Sequence, residues 1–234
     1  QPRSRGLGDV YKRQSLAMLI SLGTSLSIII PTASSGAYRH LKVMDNILKP
    51  GIRLGLFGIV GGVLGGIIAS MLPTQLLKII FGCLLLFIAI RNLISANKNT
   101  SKVRAKFNLI NIAVVGVLVG ISSGLLGVGG GVFIILILTV IFGFSMIEAI
   151  GISSVFISLT AIGGTVSYII SGWGVNPFPY SLGYVSLVNF AVIAMFSVPL
   201  AYYGAKIAHK VPEKRLKQIF GLVVLYLSLI HISE

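Results

Sequence analysis

The stretch GISSGLLGVGGGVFIILILTV, residues 120–140, decides how this chain is read. It puts Gly127, Gly129, Gly130 and Gly131 between an apolar run of ordinary length, 107–126, and a short one, 131–145. Each glycine lowers helix stability by about 1 kcal/mol against alanine, so the cluster predicts a break between two helices. A backbone broken at membrane depth leaves N–H and C=O groups unpaired. That is tolerated only inside protein or beside a water-filled cavity. Freed N–H groups at the start of the 131–145 run, backed by the helix dipole, would form an anion site. The competing reading is close packing of helices through small residues, which describes Gly120 and Gly124 well. A nucleotide-binding loop is excluded, because no strand precedes the glycines and no Lys-Ser/Thr follows them.

Outward from this stretch, the chain is a series of apolar runs at 15–34, 54–71, 76–95, 107–126, 131–145, 147–171, 182–203 and 216–230. A bilayer core about 30 Å thick needs roughly 20 such residues per helix. The 234 residues are 55% hydrophobic and only 10% charged, with mean hydropathy +0.98. Soluble domains carry about 25% charged residues. The fold class is therefore all-α, a polytopic integral membrane protein of about eight spans, embedded in the lipid bilayer.

The formal charge of +14 might suggest nucleic acid, but the bases sit between the apolar runs, at Arg39 to Arg53, Arg91 to Lys106 and Lys206 to Lys217. Under the positive-inside rule these are cytoplasmic loops, and nucleic acid is not a partner. The single cysteine, Cys83, excludes an internal disulfide and a cysteine metal cluster. No cofactor is implied. Residues 1–14 and 227–234 read as foreign or artefactual ends, the first because a polar segment abuts a span without a cap.

The chain resembles itself. LPTQLLKIIFG at 72–82 pairs with VPEKRLKQIFG at 211–221, six of eleven positions being identical. Gly23, Ser25, Thr32 and Gly36 pair with Gly151, Ser153, Thr160 and Gly164, all at an offset of 128. Equivalent loops carry opposite charge character: 37–53 and 204–217 are basic, while their counterparts near 172–181 and 72–75 are not. They therefore face opposite sides, as in an inverted repeat. The division is a first half at 15–95, a basic cytoplasmic linker at 96–106 and a second half at 107–230, with the first copy's opening spans missing.

The hydroxyls repeated between the copies, Ser25 with Ser153 and Thr32 with Thr160, are the candidates for lining a path, each pair two turns apart on one helix face. Pro31 should loosen the first helix beside Thr32. For the remaining hydroxyls, bonding back to their own helix is the expected role. His40, His209 and His231 lie outside span centres and are expected at interfacial or solvated positions, leaving no proton relay in the membrane.

GLLGVGGGV at 124–132, followed by a short apolar run and AIGISS at 149–154, resembles the sulfite exporter TauE/SafE family, also called the 4-toluene sulfonate uptake permeases. GTSLSIIIPTASSGAYRH at 23–40 looks like the same family's region after its first glycine-rich segment. The resemblance implies a secondary transporter in the inner (plasma) membrane for a small sulfur-containing or organic anion such as sulfite, a sulfonate or sulfoacetate, and the chain lacks the first copy's glycine-rich segment. A proton or a sodium ion is the candidate coupling ion. The candidate substrate-binding residues are Gly127, Gly129, Gly130, Gly131, Ser153, Thr160, Ser25 and Thr32. A passive anion channel and a non-transporting structural subunit remain alternatives. An enzyme finds no nucleophile–base pair, paired acids or metal cluster in any span.

Overall fold

A computed structural model of the chain describes residues 2–73, 76, 107–175, 179–216 and 218–222. The architecture is all-α and polytopic. The helices are α1 (Pro2–Leu41), α2 (Leu48–Met71), α3 (Leu109–Leu126), α4 (Gly131–Val140), α5 (Met146–Ser171) and α6 (Leu187–Ala208). A short 3₁₀ turn, Asp45–Ile47, precedes α2. A two-stranded hairpin, β1 (Ser181–Leu182) with β2 (Val185–Ser186), precedes α6. Five helices among the described residues are long and apolar enough to cross a membrane, and α4 is a shorter apolar helix. Most of the 76–95 run, and the 216–230 run beyond 222, lie outside the described residues, as does His231.

Several boundaries differ from the sequence expectation. Residues 2–14 continue α1 instead of standing apart from the span. Pro31 sits inside α1 without interrupting it. A proline removes one backbone donor, and in membrane helices neighbouring groups re-satisfy what it frees. The short run ends at Val140, not 145, because Gly143 takes a left-handed conformation (φ 70°). Ser145 then starts α5 with a capping box closed by Glu148. The 182–203 run begins its helix only at Leu187, since the hairpin turns through Gly183 (φ 58°).

Glycines set the helix packing. Helix α2 carries them on two faces. A β-carbon on Gly62 would lie 2.6 Å from the Thr160 carbonyl oxygen of α5, and one on Gly51 2.6 Å from Val155. On the other face, a β-carbon on Gly120 of α3 would lie 2.6 Å from the Gly58 carbonyl oxygen, and one on Gly116 2.7 Å from that of Leu54. The small-residue reading of Gly120 and Gly124 is therefore correct: both let α3 and α2 approach backbone to backbone. Helix α5 is the most enclosed span, α1 lies antiparallel on its other side, and α6 runs parallel to α1 as the outermost described helix.

Helix directions follow from these contacts. The ends of α1 and α6 and the starts of α2, α3 and α5 share one end of the bundle, where the basic 37–53 and 204–217 segments meet. The 172–175 turn and the hairpin sit at the other end, against Gly23 and Thr24.

Candidate functional site

The predicted break is present. Gly127 ends α3 in the left-handed region (φ 65°), Gly129 (φ 76°) and Gly130 (φ 69°) continue in it, and α4 starts at Gly131. Side chains rarely adopt this backbone conformation, which explains the glycines better than packing alone. The break lies against Leu22 and Ile29 of α1, near the middle of the Gln14–Leu41 span. From there α4 descends for ten residues, about 15 Å or half a bilayer core. It is a half-helix. Its first three N–H groups have no acceptor within the helix, and its positive dipole end points to mid-membrane.

Ser25 Oγ donates to the Gly127 carbonyl at 2.7 Å, satisfying one of the groups the break frees. Thr32 Oγ1 bonds back to the Ile28 carbonyl at 2.8 Å and also meets Ser197 Oγ of α6 at 2.7 Å. Ser153 Oγ is buried and turns back to the Ile150 carbonyl at 2.8 Å. Thr160 is fully buried against α2, and its hydroxyl has no hydrogen-bond partner. Of the eight predicted residues, the structure thus brings Ser25 to the four glycines, sets Thr32 apart towards α6, and turns Ser153 and Thr160 into the packed body of α5.

A cavity of about 320 Å³ runs between α1, α5 and α6. Helix α1 lines it with Ile29, Thr32, Gly36 and His40, and α5 with Ile150, Ser154 and Ile157. Helix α6 contributes Ala201, Gly204, Ala205 and Ala208, whose small size leaves the space open. From Ile29 to His40 is eleven residues of helix, roughly 16 Å, so the cavity reaches from mid-membrane to the basic end of the bundle. Its inner end abuts the break: β-carbons on Gly129 and Gly131 would lie 2.8 and 2.7 Å from Ile157, and one on Gly129 3.3 Å from Ile29. Two isoleucines separate the half-helix from the cavity. They are repeat counterparts, 128 residues apart.

At the outer end of the cavity His40 Nδ1 and His209 Nε2 are 2.9 Å apart. His40 is 2% exposed. His40 thus lies at the end of its span, as an interfacial residue does, but it is not solvated, because a partner 169 residues away covers it. Arg39 lies alongside, its guanidinium 6.0 Å from the Tyr202 ring centroid and its Nε buried without a partner. Burial, then the Arg39 charge, hold His209 below the ordinary histidine range. Sequence reasoning missed Ser154, Ser197 and the histidine pair. The Ser-Ser step at 153–154 was the one available signal, and it did not say which hydroxyl faces α1.

Apolar spans, a half-helix ending at mid-membrane and a cavity whose inner end lies beside it fit the class of multi-pass membrane transporters. The chain belongs to the sulfite exporter TauE/SafE family, whose model matches residues 13–230. It is similar to a probable membrane transporter protein of Haemophilus influenzae, 33% identical over 224 residues covering 92% of this chain and 81% of that protein. A probable membrane transporter protein of Bacillus subtilis, YdhB, is 30% identical, covering 88% and 84%. One of Methanocaldococcus jannaschii is 28% identical, covering 89% and 79%. These relatives are transporters, not enzymes. No solved structure matches the chain.

Proposed function

We propose that this chain is a secondary transporter of a small sulfur-containing or organic anion of the sulfite, sulfonate or sulfoacetate type, working in the plasma membrane. The anion is held at the Gly127–Gly131 break by the N–H groups that open α4, and it reaches them past Ile29 and Ile157 from the cavity. Ser25 holds the Gly127 carbonyl away from the anion, and Thr32 with Ser197 offers hydroxyls on the approach. Ser153 and Thr160 form the wall behind. The observation that carries this reading is the half-helix whose positive end abuts the inner end of this cavity. It lets an anion be bound at mid-membrane without a buried Lys or Arg, and no span centre holds either.

The inverted repeat belongs to the same proposal. Pro212 lies at the basic end of the bundle, whereas Pro73 follows α2 at the other. Opposite ends are what two copies of opposite orientation require. A path closed at two repeat-related isoleucines also favours a carrier over a passive channel.

The test is uptake of labelled sulfite and labelled sulfonates into proteoliposomes containing the chain. Saturable uptake accelerated by unlabelled anion on the far side is expected. Flux that does not saturate would make it a channel, and no flux of any of these anions would overturn the substrate class.

A further inference from the structure

The histidine pair is not used by the site above, yet it stands at the basic end of the cavity whose inner end lies beside that site. His40 reaches it from the last turn of α1 and His209 from the C-cap of α6. The two nitrogens, 2.9 Å apart, are within hydrogen-bond distance, so one ring must donate and the other accept. A neutral pair meets this requirement with a single N–H between the rings. One further proton can be added on an outward nitrogen, leaving the hydrogen bond in place and charge-assisted. A second cannot be added, since it would set N–H against N–H and force α1 and α6 apart.

The charged and titratable groups of the surrounding elements are few. Helix α1 and the residue after it bring Tyr38, Arg39 and Lys42, and the 3₁₀ turn brings Asp45. Helix α6 and its end bring Tyr202, Lys206 and Lys210. Helix α5, which packs Gly151 against His40, brings Glu148, whose carboxylate already accepts from Ser145 and Asn46. Arg39 is the charge that bears on His209, and it opposes protonation. An anion in the cavity would offset that opposition.

We propose that His40 and His209 form a one-proton binding site at the basic end of the cavity, and that this proton and the anion bind with positive linkage. The proposal rests on the anion-transport reading for its second half only. Linkage is reciprocal: whatever an anion in the cavity adds to proton affinity, the proton adds to anion affinity. A proton and an anion would then cross together, which makes the proton the coupling ion in preference to sodium.

Two measurements on the full chain in detergent test this. The first uses nitrogen-15 histidine spectra across a pH titration and needs no anion. His40 and His209 should shift together with the uptake of one proton. Independent titration of the two rings would overturn the proton site. The second measures binding of methanesulfonate, which stays ionised throughout. Affinity should rise by up to about tenfold per pH unit as the pair takes its proton, and the H40Q/H209Q double variant should bind with affinity independent of pH. The same pH dependence in wild type and the double variant would overturn the linkage. Methanesulfonate failing to bind at any pH, with the coupled titration intact, would overturn the anion reading and leave the proton site standing.

Discussion

Helices α1 and α5 are counterparts 128 residues apart, and their hydroxyls behave differently. In α1, Ser21, Ser27 and Ser34 turn back onto their own helix, but Ser25, Thr32 and Ser35 reach other segments, at the Gly127 carbonyl, Ser197 and the Val198 carbonyl. In α5, Ser153, Ser154, Ser158 and Ser167 all turn back onto their own helix, while Thr160 and Thr165 find no partner. The cause is distance between backbones. Glycines of α2 bring α5 so close that nothing can bridge the gap, whereas α1 stands off from α6 and leaves both a cavity and room for hydrogen bonds. The same residue types become fixed structure in one copy and adjustable contacts in the other. Helices α2, α3 and α5 are joined by close backbone contact, whereas α1 and α6 are joined by side-chain hydrogen bonds beside a cavity.

The largest effects should come from filling the close contacts. Gly62→Leu or Gly120→Leu drives a side chain into opposing backbone and should cost about 3 kcal/mol each, read as lost thermal stability in detergent. Gly204→Ala, whose new β-carbon meets nothing within 4 Å, should stay within about 0.5 kcal/mol of wild type. Equal costs at the two places would erase the distinction between packed and spaced helices.

Next come the glycines of the break. The Gly129→Val, Gly130→Val double variant forces two β-branched residues to positive φ, with strain of about 1–3 kcal/mol at each. Sulfite transport in proteoliposomes should be lost while membrane insertion and helix content persist. Transport at the normal rate would make these glycines mere packing residues and remove the site.

The break was readable because glycine density is a local signal, and so were the spans from their apolar runs. The histidine pair was not, because it is made by a contact between segments far apart in sequence. That Ser154, and not the Ser25 counterpart Ser153, lines the cavity is hidden for a related reason: α1 and α5 pack antiparallel, so equivalent residues do not meet at the same depth. Of the α1 positions lining the cavity, Ile29 has a counterpart, Ile157, that lines it too.

Among the hydroxyls, Ser25→Ala leaves the Gly127 carbonyl unpaired beside the break and should cost about 1–2 kcal/mol. Ser153→Ala removes a bond to a carbonyl that already serves its own helix and should cost under about 0.6 kcal/mol. Denaturant titration of helix content can rank the two. The reverse order would mean that the α5 hydroxyls, not those of α1, hold the functional geometry.

Thr160→Val gives the smallest effect and the sharpest division between the two copies. The Thr160 hydroxyl is 0% exposed and has no partner, so it bears a desolvation cost without a hydrogen bond in return. Valine has nearly the same shape and no such cost, and the variant should be about as stable as wild type or up to about 1 kcal/mol more so. Its counterpart Thr32→Val breaks the contact with Ser197 across the spaced α1–α6 interface and should weaken sulfite transport severalfold at nearly unchanged stability. If Thr160→Val instead lowered transport as much as Thr32→Val, the unpartnered hydroxyl would be a donor awaiting the anion. The substrate path would then run along α5 on the side facing α2, and α5 would be part of the site and not its frame.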